Sequence, residues 1–179
     1  MSFLLKDRFH RLITESVYNE LLSQTANYYY AIGKTIEWSS PSTPDTPTSN
    51  DQYEYDTRNN IISVKKLLIT DVSYVTRRIN WVINTVFDQY DGEYSNNFKS
   101  STGASSLKDS NFYVLTSNYQ VYKCIYNNKG AKSTIMPTGT GLTPVLYNDG
   151  YIWKYLYTIP LSLRNRFLTT THMPVQKSV

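Results

Sequence analysis

Cysteine is almost absent from this chain: Cys124 is the only one in 179 residues. No intrachain disulfide can form, which excludes a disulfide-stapled scaffold and fits assembly in a reducing cytoplasm. The lone thiol falls in an alternating strand pattern, where a buried and inert cysteine is expected rather than a nucleophile. Histidine is scarce as well. His10 and His172 lie near opposite ends, and neither has a metal-ligand spacing to a cysteine, an acid or the other histidine. Long apolar runs are missing: nothing nears the ~20 residues of a membrane span, and MSFLLKDRF is too short for a signal peptide. Charge is low, at 18% of residues, and the net value of +4 comes from scattered Lys and Arg. Nucleic-acid footprints usually form a clustered stripe, so nucleic acid is a disfavoured partner.

Catalytic constellations are equally thin. PTGTG at 137–141 is not followed by the Gly-Lys-Ser/Thr of a phosphate loop, and no Gly-x-Ser-x-Gly elbow occurs. Asp88, Asp91 and Glu93 have a faint calcium-loop spacing but lack the later bidentate Glu, so a solvated turn is the expectation. The reading is of a non-enzymatic protein with no cofactor, catalytic or metal site.

Tyrosine is what the chain has in abundance, with 17 Tyr against 6 Phe. A dry core has no reason to prefer the hydroxylated ring. Tyrosine joins large apolar area to a polar tip and few rotatable bonds, which suits protein–protein contacts. The tyrosines also cluster, as Tyr28-Tyr29-Tyr30 and again at Tyr53 and Tyr55. The segment DGYIWKYLYTIP, 149–160, is bounded by a turn pair and a proline and has the length of a strand. At period two, Tyr151, Trp153, Tyr155, Tyr157 and Ile159 share one face. Tyr151, Trp153 and Tyr155 are therefore core candidates, together with Trp38 and Trp81.

Along the chain, residues 14–23 read as a short helix capped by Thr14 or Ser16. Residues 27–38 read as a strand ending near Gly33, or as a continuation of that helix. The Pro/Ser/Thr stretch 39–50 is an exposed loop, and a second short helix follows near 52–60. Strand-like runs occupy 61–69 and 72–86, and 88–110 is a polar loop. Residues 111–126 form a hairpin turning at Ser117-Asn118. Residues 127–150 are irregular, 161–166 is a polar turn, and a last strand lies near 167–171. The expected class is mainly β (α+β): a two-layer β-sandwich with one or two short peripheral helices and long polar loops, forming a single domain over 1–179. Arg77-Arg78 beside Trp81 can pair with carboxylates and stack on rings. That serves equally well as a partner anchor or as an internal brace. With Tyr28, Tyr29 and Tyr30, these two arginines are the candidate partner contacts.

Several segments, taken in order, carry a resemblance. They are a short N-terminal helix, Ile32-Gly33, Trp38-Ser39-Ser40 before the proline-rich loop, Arg77-Arg78-x-x-Trp81, Val121-Tyr122-Lys123-Cys124, and Asp149 to Leu156 with Ile159-Pro160. Together they resemble the baseplate wedge protein of T4-like contractile-tailed bacteriophages, the dimeric subunit with a β-sandwich core. The chain resembles its N-terminal portion, or a shortened relative of it. The resemblance implies a virion structural protein of the tail baseplate, assembled in the host cytoplasm. Its partners would be other wedge and tail subunits, with a homodimer among the arrangements allowed and no membrane contact. The rival expectation is a binding module for single-stranded nucleic acid, on a Tyr-rich basic sheet, or for host-surface glycan.

Overall fold

A helix comes first, and it starts twelve residues earlier than the pattern suggests. In the computed structural model, which describes residues 2–23, 27–33, 40, 42–43 and 51–175, helix α1 runs Ser2–Ser23. The stretch before Thr14 contains no proline or glycine and several good helix formers, so propensity carries the helix through it. The expected cap at Thr14 or Ser16 therefore lies inside the helix. The chain divides into two compact units, Met1–Val72 and Ser73–Val179, and each is described by itself.

In the first unit, strand β1 (Tyr29–Gly33) pairs antiparallel with β2 (Ile61–Lys66), and helix α2 (Asp51–Asn59) precedes β2. Gly33 is needed at the end of β1: a Cβ there would sit 2.7 Å from the Asn60 carbonyl oxygen. A 3-10 turn at Ile69–Asp71 follows β2 and touches α1. Its Asp71 accepts from the Leu68 amide at 3.1 Å and from Lys65 Nζ at 2.6 Å. The apolar filling is sparse. Leu21 is the one buried apolar side chain described in this unit.

The second unit is built on a four-stranded antiparallel sheet in the order β4–β5–β7–β6, with β4 Tyr113–Leu115, β5 Gln120–Asn127, β6 Val145–Leu146 and β7 Tyr151–Thr158. The β4–β5 hairpin turns where expected, with Tyr119 at φ 59° closing the turn. A separate pair joins β3 (Val75–Arg77) to β8 (His172–Pro174), and helix α3 (Leu161–Phe167) lies between β7 and β8. Three expectations shift here. The run 72–86 contributes only β3 plus isolated bridges at Asn80 and Thr85, because its backbone bonds go to loops as well as strands. Residues 161–166 form a helix rather than a turn, opened by Pro160, whose carbonyl accepts from Leu163 and Arg164 at 3.0 Å. The last strand is displaced to 172–174.

Among the described residues the chain is thus mainly β, with three sheets and three α-helices. The aromatic strand departs from simple alternation. Val121 pairs with Tyr157 and the next residue, Tyr122, with Tyr155, leaving Leu156 as a bulge. Adjacent residues point to opposite faces, so the bulge sends Tyr157 to the face opposite Tyr155. The sheet consequently has apolar clusters on both sides. One holds Phe87, Val114, Tyr122, Cys124, Tyr151 and Trp153, with Trp81 and Tyr155 packed at its margin. The other holds Leu115, Val121, Ile159 and Met173, with Tyr157 at its margin. A strand read as one aromatic face serves two layers, which is the sandwich principle achieved through one extra residue.

Candidate contact surfaces

Two kinds of surface emerge from these elements. In the first unit, every residue of β1 and β2 is exposed. Tyr29, Tyr30, Ile32, Ile62 and Val64 stand at 50–70% exposure. Register places Tyr30 beside Lys65 on one face and Tyr29 beside Lys66 on the other, so both faces combine a ring with a cation. Tyr28 differs from its neighbours. Its hydroxyl donates to the Glu20 carboxylate of α1, and that bond raises the phenol above its ordinary pKa. Tyr28 is therefore a link between strand and helix, while Tyr29 and Tyr30 face outward. Helix α1 adds Phe9, Leu12, Ile13 and Val17, all exposed and spaced at helical intervals. A two-stranded sheet with no covered face is marginal in water, so this surface is one that a partner would stabilise.

In the second unit the arginines are committed internally. Arg77 Nη2 donates to the carbonyls of Asp109 and Ser110 at 3.2 and 3.1 Å and to Asn111 Oδ1 at 2.9 Å. Arg78 donates from Nε to Asn80 Oδ1 and from Nη1 to the Thr169 carbonyl, both at 2.8 Å. The geometry is that of a brace tying β3 to the end of the 88–110 loop and to the segment after α3. Trp38 lies outside the described residues. Trp81, half-buried, donates from its indole to Ser133 Oγ at 3.2 Å.

Ser133 in turn donates to Asp149, the first residue of the aromatic segment. The Asp149 carboxylate gathers the Thr134 and Ile135 amides at 2.9 and 3.1 Å on Oδ2 and the Tyr151 amide at 3.2 Å on Oδ1. Partial burial acts to raise its pKa, but these donors outweigh it and hold the carboxyl below its ordinary value. Gly150 beside it sits at φ +81°, in the left-handed region that favours glycine. Asp88 is the other anchored acid. It is completely buried and accepts from the Thr102 amide, the Thr102 hydroxyl and the Asn111 amide at 2.6–2.8 Å. The expectation of a solvated turn at Asp88 is corrected here: the carboxylate is the internal peg of the 88–110 loop. Asp91 does form a local turn, accepting from the Glu93 amide at 2.9 Å.

Comparison with family models, curated proteins and solved structures finds no match. The chemistry must be judged on the residues alone. Among the described residues no group of three or more His, Cys, Asp and Glu could hold a metal ion, and no helix is long and apolar enough to cross a membrane. Burial pushes the Cys124 thiol up to about 12, far from the thiolate that a nucleophile needs. Burial likewise pushes the Tyr122 and Tyr157 hydroxyls to about 12. Tyr151 and Trp153 are buried and stacked, with ring centroids 5.5 Å apart, and Tyr155 packs edge-on against Tyr122 at 5.7 Å. Sequence reasoning passed over Tyr147, Leu142 and β6. Their signal was the unbroken uncharged stretch between Lys132 and Asp149.

Proposed function

We propose that this chain is a non-enzymatic structural subunit of a contractile phage tail, a baseplate wedge component that works through protein–protein contacts. The observation that carries the reading is the exposed β1–β2 pair with its outward Tyr29, Tyr30, Ile32, Ile62 and Val64. A monomer that functioned alone would have little use for such a surface, whereas permanent assemblies bury large areas rich in aromatic side chains. The ordered resemblance in sequence supports the specific setting, and the partners are then other wedge and tail subunits or a second copy of the chain. The test is the triple variant Tyr29→Ser, Tyr30→Ser, Ile62→Ser. All three side chains are solvent-exposed, so the chain should fold with an unchanged circular dichroism spectrum while failing to enter tail assemblies. Normal incorporation of the folded triple variant would refute the contact surface.

The rival reading has one observation in its favour: residues 73–179 carry eleven Lys and Arg against five Asp and Glu. Within that unit Lys123 Nζ lies 3.7 Å from the Tyr90 ring centroid and pairs across the sheet with Lys154. A single-stranded oligonucleotide that bound with a steep salt dependence would favour it.

A further inference from the structure

One face of the four-stranded sheet changes character along its strands. At one end it carries Leu115, Val121 and Ile159, with Met173 of β8 in the same cluster and the Tyr157 hydroxyl donating to the Pro174 carbonyl at 3.0 Å. The register of β4, β5 and β7 then sets Tyr113, Lys123 and Lys154 side by side in a row across that face. The Tyr113 hydroxyl still reaches β3, donating to the Arg77 carbonyl at 2.7 Å. Beyond the lysines the face continues with Ile152 and its partner on β6, Leu146, which is 67% exposed. The two lysines therefore stand at the margin of the apolar cluster.

Lys123 and Lys154 are directly opposed on adjacent strands, so their side chains leave the same face with Cβ atoms about 5 Å apart. Like charges in that arrangement repel, and both side chains are half-buried, so water screens them only in part. Lys123 has one favourable neighbour, the Tyr90 ring, whose centroid lies 3.7 Å from Nζ. Among the described residues neither lysine has a carboxylate within salt-bridge distance. The acids of this unit are engaged elsewhere. Asp88 is held by Thr102 and Asn111, Asp149 by its ring of donors, and Asp109 by the Ser106 hydroxyl. Asp91 accepts from the Glu93 amide, and Glu93 is exposed on that turn. Two ammonium groups thus face each other with no counter-charge from the chain.

We propose that Lys123 and Lys154 form an anion site that takes the carboxylate of an Asp or Glu side chain from a partner polypeptide. A carboxylate offers two oxygens, so each ammonium can donate to one, and a single group then offsets the repulsion across the pair. Part of the lysines' hydration is lost before any partner arrives, which lowers the cost of burying them further. Ile152 and Leu146 supply apolar area beside the charge, as the core of a polypeptide contact needs. Nucleic acid fits less well, because single strands bind by stacking bases on aromatic rings. Here the Tyr90 ring carries Lys123 over its face and meets Phe112 edge-on at 5.2 Å, and Phe112 meets Tyr113 at 5.0 Å. The rings beside the lysines are already packed on one another. The site lies in a different unit from the β1–β2 surface, and its test does not require the chain to be a virion component.

The experiment uses the full chain labelled with 13C-lysine, whose ε-methylene resonances report on each ammonium. Those of Lys123 and Lys154 are identified by their loss in Lys123→Gln and Lys154→Gln. The probes are acetyl-Thr-Val-Glu-Val-Thr-amide, the same peptide with Gln at its centre, and thymidylyl-thymidine, which carries one phosphodiester between two bases. The Glu peptide should move both resonances at millimolar concentration and bind about tenfold more tightly than the Gln peptide, an advantage lost in either lysine variant. Lys154→Glu places a carboxylate opposite Lys123, so it should raise the thermal midpoint of unfolding by about 2–5 °C and abolish binding of the Glu peptide. Lys154→Gln removes the repulsion without adding a charge and should raise the midpoint by less. The proposal is overturned if the Glu and Gln peptides bind alike or not at all, or if neither Lys154 variant raises the midpoint. Thymidylyl-thymidine moving both resonances at lower concentration than the Glu peptide would overturn it in favour of nucleic acid.

Discussion

Replacing Trp153 by alanine is the sharpest test of the packing described above. The side chain is 1% exposed, stacks on Tyr151 at 5.5 Å and meets Phe87 edge-on at 5.7 Å. Burying a tryptophan removes roughly 200 Å² from water, or about 5 kcal/mol at ~25 cal/mol per Å². Measured truncations of large aromatics in cores cost about 3–5 kcal/mol, because neighbours relax into part of the space. We therefore expect Trp153→Ala to cost about 4 kcal/mol, a large share of the ~5–15 kcal/mol that stabilises a typical domain. With an m-value of about 1.5 kcal/mol/M, the urea midpoint of the second unit falls by roughly 2.5 M. The assay is reversible urea unfolding followed by circular dichroism. Trp153→Phe isolates the cause. The indole N–H has no partner in the protein, so this change loses area but no hydrogen bond and should cost about 1–2 kcal/mol. A cost below about 1 kcal/mol for Trp153→Ala would refute the placement of β7 at the centre of the core.

Asp149→Asn removes the carboxylate that gathers three amides and the Ser133 hydroxyl, and should cost about 1–2 kcal/mol at neutral pH in thermal unfolding. Because the folded pKa of Asp149 is lowered, its contribution is complete above the unfolded value of about 4 and is lost as pH falls through the folded value. The parent should therefore lose more stability on acidification than Asp149→Asn does. The double variant Arg77→Ala, Arg78→Ala should quicken amide exchange around 109–111 and 169 and destabilise the second unit by about 2–3 kcal/mol, as two lost charge-assisted braces would. If exchange there stays unchanged while assembly fails, the arginines are contacts and the bracing role is refuted.

Much of this fold was readable from alternation and turn chemistry. The β4–β5 hairpin, β7 and α2 lie where apolar period and punctuation by Gly, Pro, Asn and Asp indicate, and β1 and β2 fall within the segments 27–38, read as strand or helix, and 61–69, read as strand. What could not be read has a common physical origin. The bulge at Leu156 is set by the register between two strands, and no local pattern announces a pairing partner. Strand β6 is two residues long, too short for period two to register, and it exists only because β7 templates it. Asp88 looked like a solvated loop acid because its three donors come from Thr102 and Asn111, which are brought to it by folding rather than by sequence spacing. Arg77 and Arg78 were balanced between brace and anchor for the same reason. Three of their five acceptors are backbone carbonyls, at Asp109, Ser110 and Thr169, which a sequence does not display as partners. The first twelve residues of α1 were missed through reliance on a cap at Thr14 or Ser16, where continuous helix propensity governs.

The central claim, that the chain is a structural component built into a phage tail, is tested most directly by quantitative mass spectrometry of purified intact particles. The account predicts that this polypeptide is present in a fixed ratio to the tail proteins, survives washing in high salt, and is missing only from particles that cannot infect. Fully infective particles that lack the polypeptide would contradict it.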